Sequence, residues 1–319
     1  MNVASTVRRG IERWTAPTVP AHLARNWRAP DTEGLVVLES AFEATGYRTD
    51  GTETGAADHV SGRLELARRD IVPWLDDAVR LSGATVLEIG CGTGSTTVAL
   101  AEQGAAVVGL DLLPERVEIA RARCAAHGVR AQVDVANAAD LPGRYAGREI
   151  DLVVLSAVLE HMTLDERLAA MAASWRMLRP GAHWCVLDTP NRLWVHDRHT
   201  AHLPFFHWLP DELAVRYADR SRRPEVAALA ATPVPDAVAD LARQGRGVSY
   251  HEFELAMAPL DELEVVSTLP TYRDRRSAAR RLLRTLAPER RVERLLRSAG
   301  PPAPGAFFQE SLNLVLRRS

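Results

Sequence analysis

The segment TVLEIGCGTGS, at residues 85–95, decides the fold class of this chain. A short apolar run ends there in three glycines placed at every second position. Glycine is favoured where the backbone turns left-handed or comes close to a ligand. Residues 96–103 follow directly and have helical spacing. We therefore predict a strand, a tight turn and a helix whose free N–H groups face a polar ligand.

The spacing of the glycines distinguishes two kinds of cofactor site. The dinucleotide fingerprint is G-x-G-x-x-G, whereas this chain has G-x-G-x-G, with Ser95 where the longer motif has its third glycine. Glu88 also precedes the first glycine by two residues. The segment resembles motif I, E-x-G-x-G-x-G, of the class I S-adenosylmethionine (SAM) methyltransferases. A tight turn without a ligand is the alternative interpretation, and the motifs downstream argue against it.

A second strand, VVGLD at residues 107–111, ends in an acid. Asp111 lies at about the distance from the glycines, roughly 20 residues, at which an acid binds ribose in such folds. A carboxylate there can accept hydrogen bonds from both ribose hydroxyls. A cap or loop role is the alternative for Asp111. A helix then opens near Pro114, because proline suits the first turn.

The third strand covers residues 131–135 and is followed by NAADLP at residues 137–142. The resemblance implies D-A-x-x-L-P here, with the acid contacting the adenine amino group. This chain has Asn137 in that position, and an amide oxygen can still accept the N–H. Asp134 is the alternative adenine contact.

Two further motifs follow in the family's order. IDLVVLSAVLEH, at residues 150–161, resembles F-D-x-V-x-x-x-x-V-L-E-H at the end of a fourth strand. RMLRPG, at residues 176–181, resembles R-x-L-K-P-G-G, with Ala182 replacing the second glycine, and precedes a fifth strand at residues 184–187. The resemblance covers residues 84–192. It implies SAM as cofactor and a cofactor-binding role for Glu88, Gly90, Cys91, Gly92, Gly94, Asp111, Leu112, Asn137, Ala138 and Ser156.

The alternation of strands and helices predicts a parallel sheet covered on both faces. The resemblance implies a Rossmann-like, doubly wound α/β fold with a seven-stranded sheet whose last strand is antiparallel. Candidate sixth and seventh strands lie at residues 263–268 and 311–316. We predict four segments: an N-terminal helical extension (1–75), a SAM-binding core (76–191), an inserted substrate lid (192–260) and C-terminal strands with an Arg-rich helical insertion (261–319).

Residues 191–210 concentrate histidines and aromatic residues directly after the fifth strand. Ligands of open α/β sheets bind beyond the carboxyl ends of the strands, and aromatic walls with a few polar groups are typical of small-molecule pockets. We therefore expect this lid to cover the active site. The predicted substrate contacts are Trp194, His202, Phe205, Trp208 and Tyr250.

Methyl transfer to a hydroxyl benefits from a base, and histidine is the commonest one because its pKa is near neutral. The candidate bases are His161, His199, His202 and His251. A structural hydrogen-bonding role beside the cofactor is the alternative for His161, and anchoring of the loop is the alternative for the lid histidines. The lid histidines and Asp197, with His251 and Glu252, are also potential metal ligands. Their spacing matches no metal signature such as H-E-x-x-H, so we expect no metal.

Composition restricts the partners. A hydrophobic content of 46% supports a folded core, and a net charge of −2 gives no general attraction to nucleic acid or membranes. The Arg-rich residues 273–297 have the pattern of amphipathic surface helices, with a phosphate-bearing or nucleic-acid partner as the alternative. Three scattered cysteines and the lack of an apolar leader in residues 1–17 lead us to expect a reducing, cytoplasmic setting.

The resulting hypothesis is SAM-dependent methyl transfer to a hydroxyl of a small molecule. The chain resembles the branch that contains ubiquinone-pathway and natural-product O-methyltransferases. Transfer to a small-molecule amine, methylation of RNA or protein, and SAM binding without catalysis are the alternatives. The sequence indicates neither the acceptor nor the oligomeric state.

Overall fold

The computed structural model describes residues 19–45, 61–145, 147–287, 289–301 and 303–319. The segment inspected for a leader and part of the predicted N-terminal extension lie outside these ranges. Seven strands form one sheet in the order β3-β2-β1-β4-β5-β7-β6. Their bounds are β1 Thr85–Ile89, β2 Ala106–Asp111, β3 Gln132–Val135, β4 Leu152–Ser156, β5 His183–Pro190, β6 Glu264–Thr268 and β7 Ser311–Arg317. The last strand, β7, is antiparallel to both of its neighbours, which confirms the predicted fold class.

Helices cover both faces of the sheet. Those of the N-terminal part and the core are α1 Ala21–Ala24, α2 Thr32–Ala44, α3 Arg63–Leu66, α4 Val72–Ala78, α5 Ser95–Glu102, α6 Pro114–Ala126, α7 Leu141–Arg144 and α8 Leu164–Arg176. Those after β5 are α9 Asp211–Tyr217, α10 Pro224–Ala227, α11 Val234–Gln244, α12 Tyr250–Ala256, α13 Leu269–Arg276, α14 Ala278–Leu286 and α15 Glu289–Ala299. A π-helical turn, Ala67–Ile71, joins α3 to α4. Among the described residues, no helix has the length and apolarity needed to cross a bilayer.

Successive residues of the central strands enter different apolar clusters, as the pleat of a strand requires. Val86 of β1 packs into the cluster beneath α3 to α6, and its neighbour Leu87 packs into the cluster beneath α8. Both residues are completely buried. A sheet buried on both faces explains why its strands are apolar runs without polar alternation.

The segment after β5 builds an apolar cluster of its own. Phe206, Val215 and Leu241 are buried in this third cluster, which contains residues of α9 to α11. The chain then returns to the sheet, because Val248 donates its N–H to the carbonyl of Pro190 and accepts that of Arg192. This return places the end of α11 beside the turn that follows β4.

Two elements differ from the sequence prediction. Strand β5 was predicted to end at residue 187 but continues to Pro190, because a register shift between Val186 and Thr189 keeps it paired with β7. Asp188 occupies this irregularity with a φ of 53°. The Arg-rich segment lies in three helices, α13 to α15. Some of its arginines form ion pairs within the segment, since Arg284 pairs with Asp274 at 2.5 Å.

We predict that Gly94→Ala destabilises the fold more than Gly83→Ala. Both glycines have a φ near +82°, a conformation that costs a non-glycine residue about 1–2 kcal/mol. A Cβ at Gly94 would also lie 2.9 Å from the Cα of Ala120, whereas at Gly83 it would meet no described atom within 4 Å. The clash should therefore add about 1–3 kcal/mol. Urea unfolding of both variants measures this difference, and equal losses would contradict it.

Candidate active site

A cavity of about 730 Å³ lies beyond the carboxyl ends of β1, β2 and β4. One part of its lining comes from the glycine turn after β1 and from residues that follow β2 and β3. The turn after β4 and two lid residues, His199 and Arg243, form the other end. This is the crevice in which open α/β sheets bind their ligands.

The glycine turn requires glycine for two different reasons. Gly90, Gly92 and Gly94 all have positive φ values, of 76°, 54° and 82°. A Cβ at Gly90 would lie 2.9 Å from the side chain of Val158, so this glycine allows close packing. A Cβ at Gly92 would meet no described atom within 4 Å. Gly92 therefore lies where the turn faces the open cavity.

Asp111 ties the loop after β1 to the loop after β2. Its Oδ2 accepts the N–H of Gly92 at 2.9 Å, and its Oδ1 accepts the N–H of Leu113 at 3.0 Å. Each carboxylate oxygen has a further lone pair, and Asp111 lines the cavity. The side chain can therefore hold the loops together and still bind a ligand hydroxyl.

Glu88 lies beneath the glycine turn and does not line the cavity. It is 1% exposed and accepts the hydroxyl of Thr97, in α5, at 2.5 Å. Burial raises its pKa to about 8, although the hydrogen bond from Thr97 opposes this effect. The contact fastens α5 to β1, so Glu88 supports the turn from below.

Cys91 and Ser156 also lie outside the lining of the cavity. Cys91 is buried against Gly109, where an added Cβ would lie 3.1 Å from the Cβ of Cys91. Burial raises the pKa of the Cys91 thiol far above its ordinary value, so it is a packing residue in its protonated form. Ser156 ends β4, and the next residue, Ala157, lines the cavity with a φ of 49°.

Asn137 and Ala138 line the cavity next to Leu112, as their predicted role requires. The Oδ1 of Asn137 accepts the N–H of Ala139 at 3.0 Å and caps the short turn after β3. Asp134 instead accepts the hydroxyl of Tyr145 at 2.9 Å and does not line the cavity.

His161 and His199 meet at the other end of the cavity, with their ring centroids 5.3 Å apart. The Nδ1 of His161 lies 2.9 Å from the carbonyl of Arg243, which can only accept, so this nitrogen carries the proton. The Nδ1 of His199 lies 3.2 Å from the hydroxyl of Thr200, which already donates to the carbonyl of Gly245. Both imidazoles therefore keep the lone pair on Nε2.

Glu160 lies beneath both rings and was not among the predicted site residues. Its Oε1 is 4.0 Å from the Nε2 of His161 and 3.7 Å from the Nε2 of His199. Its Oε2 accepts the hydroxyl of Thr189 at 3.1 Å. Burial raises the pKa of Glu160 to about 7. Its place in the L-E-H motif, beside a candidate histidine, was the sequence signal that could have identified it.

Burial also keeps the two imidazoles neutral. It lowers the pKa of His161, and it lowers that of His199 to about 4, with the neighbouring His161 adding to the effect. The two rings are only partly accessible, with 41% and 31% of their side chains exposed. Neutral imidazoles with free Nε2 lone pairs can accept a proton or bind a metal.

The rim of the cavity carries charge that sequence reasoning did not identify. Arg243 of α11 donates to both carboxylate oxygens of Glu166 in α8, at 2.7 Å each. Glu166 has a low pKa, about 2, chiefly because of these hydrogen bonds. The pair connects the lid to the core, and no local motif reveals it because its partners are far apart in sequence.

The other predicted site residues lie outside this cavity. Trp194 lines a second cavity of about 150 Å³, whose lining also includes His199. His251 stacks on Tyr250 in α12 with centroids 4.0 Å apart, and neither lines either cavity. The three remaining predicted substrate contacts, Phe205, Trp208 and His202, also line neither cavity. Phe205 and Trp208 pack edge to face and are about half exposed. His202 adopts a left-handed φ of 58°.

Asp197 organises the turn that carries His199. Its carboxylate accepts four backbone N–H groups, from residues 199 to 202, and lies 3.1 Å from the Nε2 of His207. Burial alone would raise its pKa, but the contacts with His207 and the backbone outweigh burial and lower it. Asp197 and His207 therefore shape the loop, and this loop carries His199 to the large cavity.

A family model described as a methyltransferase domain matches residues 86–181. Residues 86–181 are therefore similar to a methyltransferase domain. The matched segment contains the glycine turn, Asp111 and His161.

The chain also resembles curated proteins over part of its length. Ubiquinone biosynthesis O-methyltransferase of Thiobacillus denitrificans is 33% identical over 119 residues, which are 37% of this chain and 50% of the relative. The protein of the same name from Xanthomonas oryzae pv. oryzae is 34% identical over 135 residues, which are 42% of this chain and 48% of the relative. The chain thus spans about half the length of the curated relatives it matches. A solved structure, magnesium protoporphyrin IX methyltransferase from Synechocystis PCC 6803 with bound SAH, is 22% identical with a TM-score of 0.37, covering 51% of this chain and 70% of that one.

We predict that Asp111→Ala weakens SAM binding by at least about 10-fold, since hydrogen bonds to a charged group contribute about 1.5–3 kcal/mol. Loss of the contacts to Gly92 and Leu113 should add to the effect. Asp134→Ala is the matched control, because this acid bonds Tyr145 outside the cavity. Calorimetric titration compares the two variants. Unchanged affinity in Asp111→Ala would refute the assignment of this residue.

We predict that Glu88 makes the fold less stable as pH rises. Its pKa is about 8 in the folded chain against an ordinary 4.5, so between these values the folded state retains a proton that the unfolded chain has released. The free energy of unfolding therefore falls across this pH range. Glu88→Gln should flatten the dependence in urea unfolding, whereas Glu118→Gln, at an exposed position of α6, should not. If the free energy of unfolding of Glu88→Gln depended on pH as strongly as that of the wild type, this account would be contradicted.

Proposed function

We propose that this chain transfers the methyl group of SAM to a hydroxyl group of a small molecule. The observation that carries the proposal is the single cavity that joins Asp111 and the glycine turn to the lone pairs of His161 and His199. SAM bound beside Asp111 and the glycine turn would direct its methyl carbon toward the two histidines. A volume of about 730 Å³ falls in the range of small-molecule sites, about 300–1,000 Å³.

The cofactor contacts follow from position in the cavity. We propose that the glycine turn holds the methionine and ribose part of SAM, and that Asp111 accepts hydrogen bonds from the ribose hydroxyls. Asn137, beside Leu112 and Ala138, faces the adenine. The residues behind the turn, Glu88 and Cys91 with Ser156, act by fixing its shape.

Methyl transfer is an in-line displacement. The acceptor oxygen forms a bond to the methyl carbon while the bond from that carbon to sulfur breaks, and its electron pair stays on sulfur to give S-adenosylhomocysteine. The sulfonium already activates the methyl group, so the protein contributes alignment and exclusion of water. The proton of the hydroxyl is lost at the two-histidine end, where the Nε2 of His161 is the proposed base.

Oxygen is the proposed target, and the names of the curated relatives, O-methyltransferases, support this choice. We propose a small acceptor over RNA or protein because lid residues, among them His199 and Arg243, close one end of the cavity. The four predicted segments remain our proposal for the organisation of the chain. Three free, buried cysteines support the proposed cytoplasmic setting.

The test is incubation with SAM and matched sets of phenols, aliphatic alcohols and amines, with detection of S-adenosylhomocysteine and of methylated product by mass spectrometry. The proposal expects O-methylated products. Products from amines alone would establish the N-methyl alternative. SAM binding without any product across the sets would indicate a binding protein.

We predict that His161→Ala lowers kcat by about 10²- to 10⁴-fold, the usual contribution of a positioned base. The affinity for SAM should change little, because His161 is in the turn after β4, whereas the proposed ribose contact, Asp111, ends β2. His22→Ala is the control, since this histidine is on the surface beside Asp76. Turnover equal to that of the control would remove His161 from the mechanism.

A further inference from the structure

The cluster of Glu160, His161 and His199 has a feature that proton transfer alone does not explain. The Oε1 of Glu160 is buried and has no hydrogen-bond partner among the described residues. Leaving such an atom unpaired in the interior is unfavourable. The two imidazole Nε2 atoms lie 4.0 and 3.7 Å from this oxygen, and both distances are too long for hydrogen bonds.

These distances are suitable for an ion between the three atoms. Two ligand atoms that each lie about 2.1 Å from one metal ion are at most about 4.2 Å apart. Both carboxylate-to-imidazole distances satisfy this limit, and all three ligand atoms lie within 4.8 Å of one another. Ligand atoms in tetrahedral coordination lie about 3.4 Å apart, so a bound ion would draw these three atoms closer together.

The surrounding contacts prepare each histidine as a ligand. His161 and His199 both have their Nδ1 engaged, by the carbonyl of Arg243 and by Thr200. Hydrogen bonding at the second nitrogen is the usual way in which proteins orient metal-binding imidazoles. Gly245 contributes space, since a Cβ there would lie 2.8 Å from the ring of His199.

No cation of the protein occupies the position beside Glu160 Oε1 among the described residues. Arg167 is the buried arginine of this region, and it donates to Glu252 at 2.7 Å and to the carbonyl of Leu159 at 2.8 Å. The Oε1 of Glu160 therefore has no protein partner among the described residues and can bind an ion from solution.

We infer that Glu160, His161 and His199 bind one divalent transition-metal ion. Two imidazoles and one carboxylate favour zinc, cobalt, manganese or ferrous iron over magnesium and calcium, which prefer oxygen ligands alone. The ligands come from the turn after β4 and from the lid, so spacing along the sequence could not indicate the site. Both histidines line the cavity, and their side chains are 41% and 31% exposed.

The inference rests on the proposed function and changes how the acceptor is activated. The acceptor oxygen binds the ion, its O–H bond breaks, and the proton passes to water. The metal-bound oxygen then forms the bond to the methyl carbon as the carbon–sulfur bond breaks. The bound ion would lower the pKa of the acceptor hydroxyl. His161 would then act as a ligand of the ion and not as a free base.

Cobalt binding tests the site directly. Untagged protein, dialysed against chelator, is titrated with Co²⁺ while its visible absorption and heat of binding are recorded. We expect one Co²⁺ per chain. Loss of an outer hydrogen-bond partner of a ligand costs about 10- to 100-fold in affinity, so Glu160→Gln and His199→Ala should each cost at least 10-fold. His196→Ala, another lid histidine, should bind as the wild type does.

Equal Co²⁺ affinity in Glu160→Gln and the wild type, or no binding by the wild type at millimolar Co²⁺, would overturn the inference. Thermal unfolding of each variant shows whether it is folded, and the wild-type titration decides the question even if a variant is not. Full methyl transfer by metal-free protein would refute the metal role and leave the proposed function intact. Stoichiometric metal binding without transfer to any acceptor would support the site and refute the function.

Discussion

The carboxylate of Asp111 is the contact on which the rest of the site depends. It connects the turn after β1 to the turn after β2 through the N–H groups of Gly92 and Leu113. Because these turns follow adjacent parallel strands, the register of the sheet determines their separation. The positive φ of Gly92 lets its N–H reach the carboxylate without a side chain entering the cavity. Fold and cofactor site are therefore linked through one side chain.

The opposite end of the cavity is built by contacts that are remote in sequence. The N–H of Arg246 donates to the carbonyl of Glu160 at 2.8 Å, and the Nδ1 of His161 contacts the carbonyl of Arg243. These contacts hold the end of α11 against the turn after β4 and bring His199 beside His161. The proposed lid therefore contributes His199 to the same cluster as His161 and Glu160.

Sequence reasoning succeeded where the determinants are local. The fold class, the glycine turn and the strand ending at Asp111 follow from short motifs whose backbone requirements act within a few residues. It also named His161 and His199 but missed Glu160, since burial beneath two rings depends on how the lid packs. Trp208 and Phe205 were chosen as substrate contacts from composition, which does not specify the direction of a side chain. The extension of β5 depends on pairing with the distant β7.

The most direct test of this account is calorimetric titration of the purified chain with SAM, S-adenosylhomocysteine and NAD. The cavity beside Asp111 and the glycine turn predicts that one SAM or one S-adenosylhomocysteine binds per chain with micromolar affinity, and that NAD produces no binding heat. Binding of NAD in place of SAM, or no binding of SAM, would contradict the cofactor assignment and every role built on it.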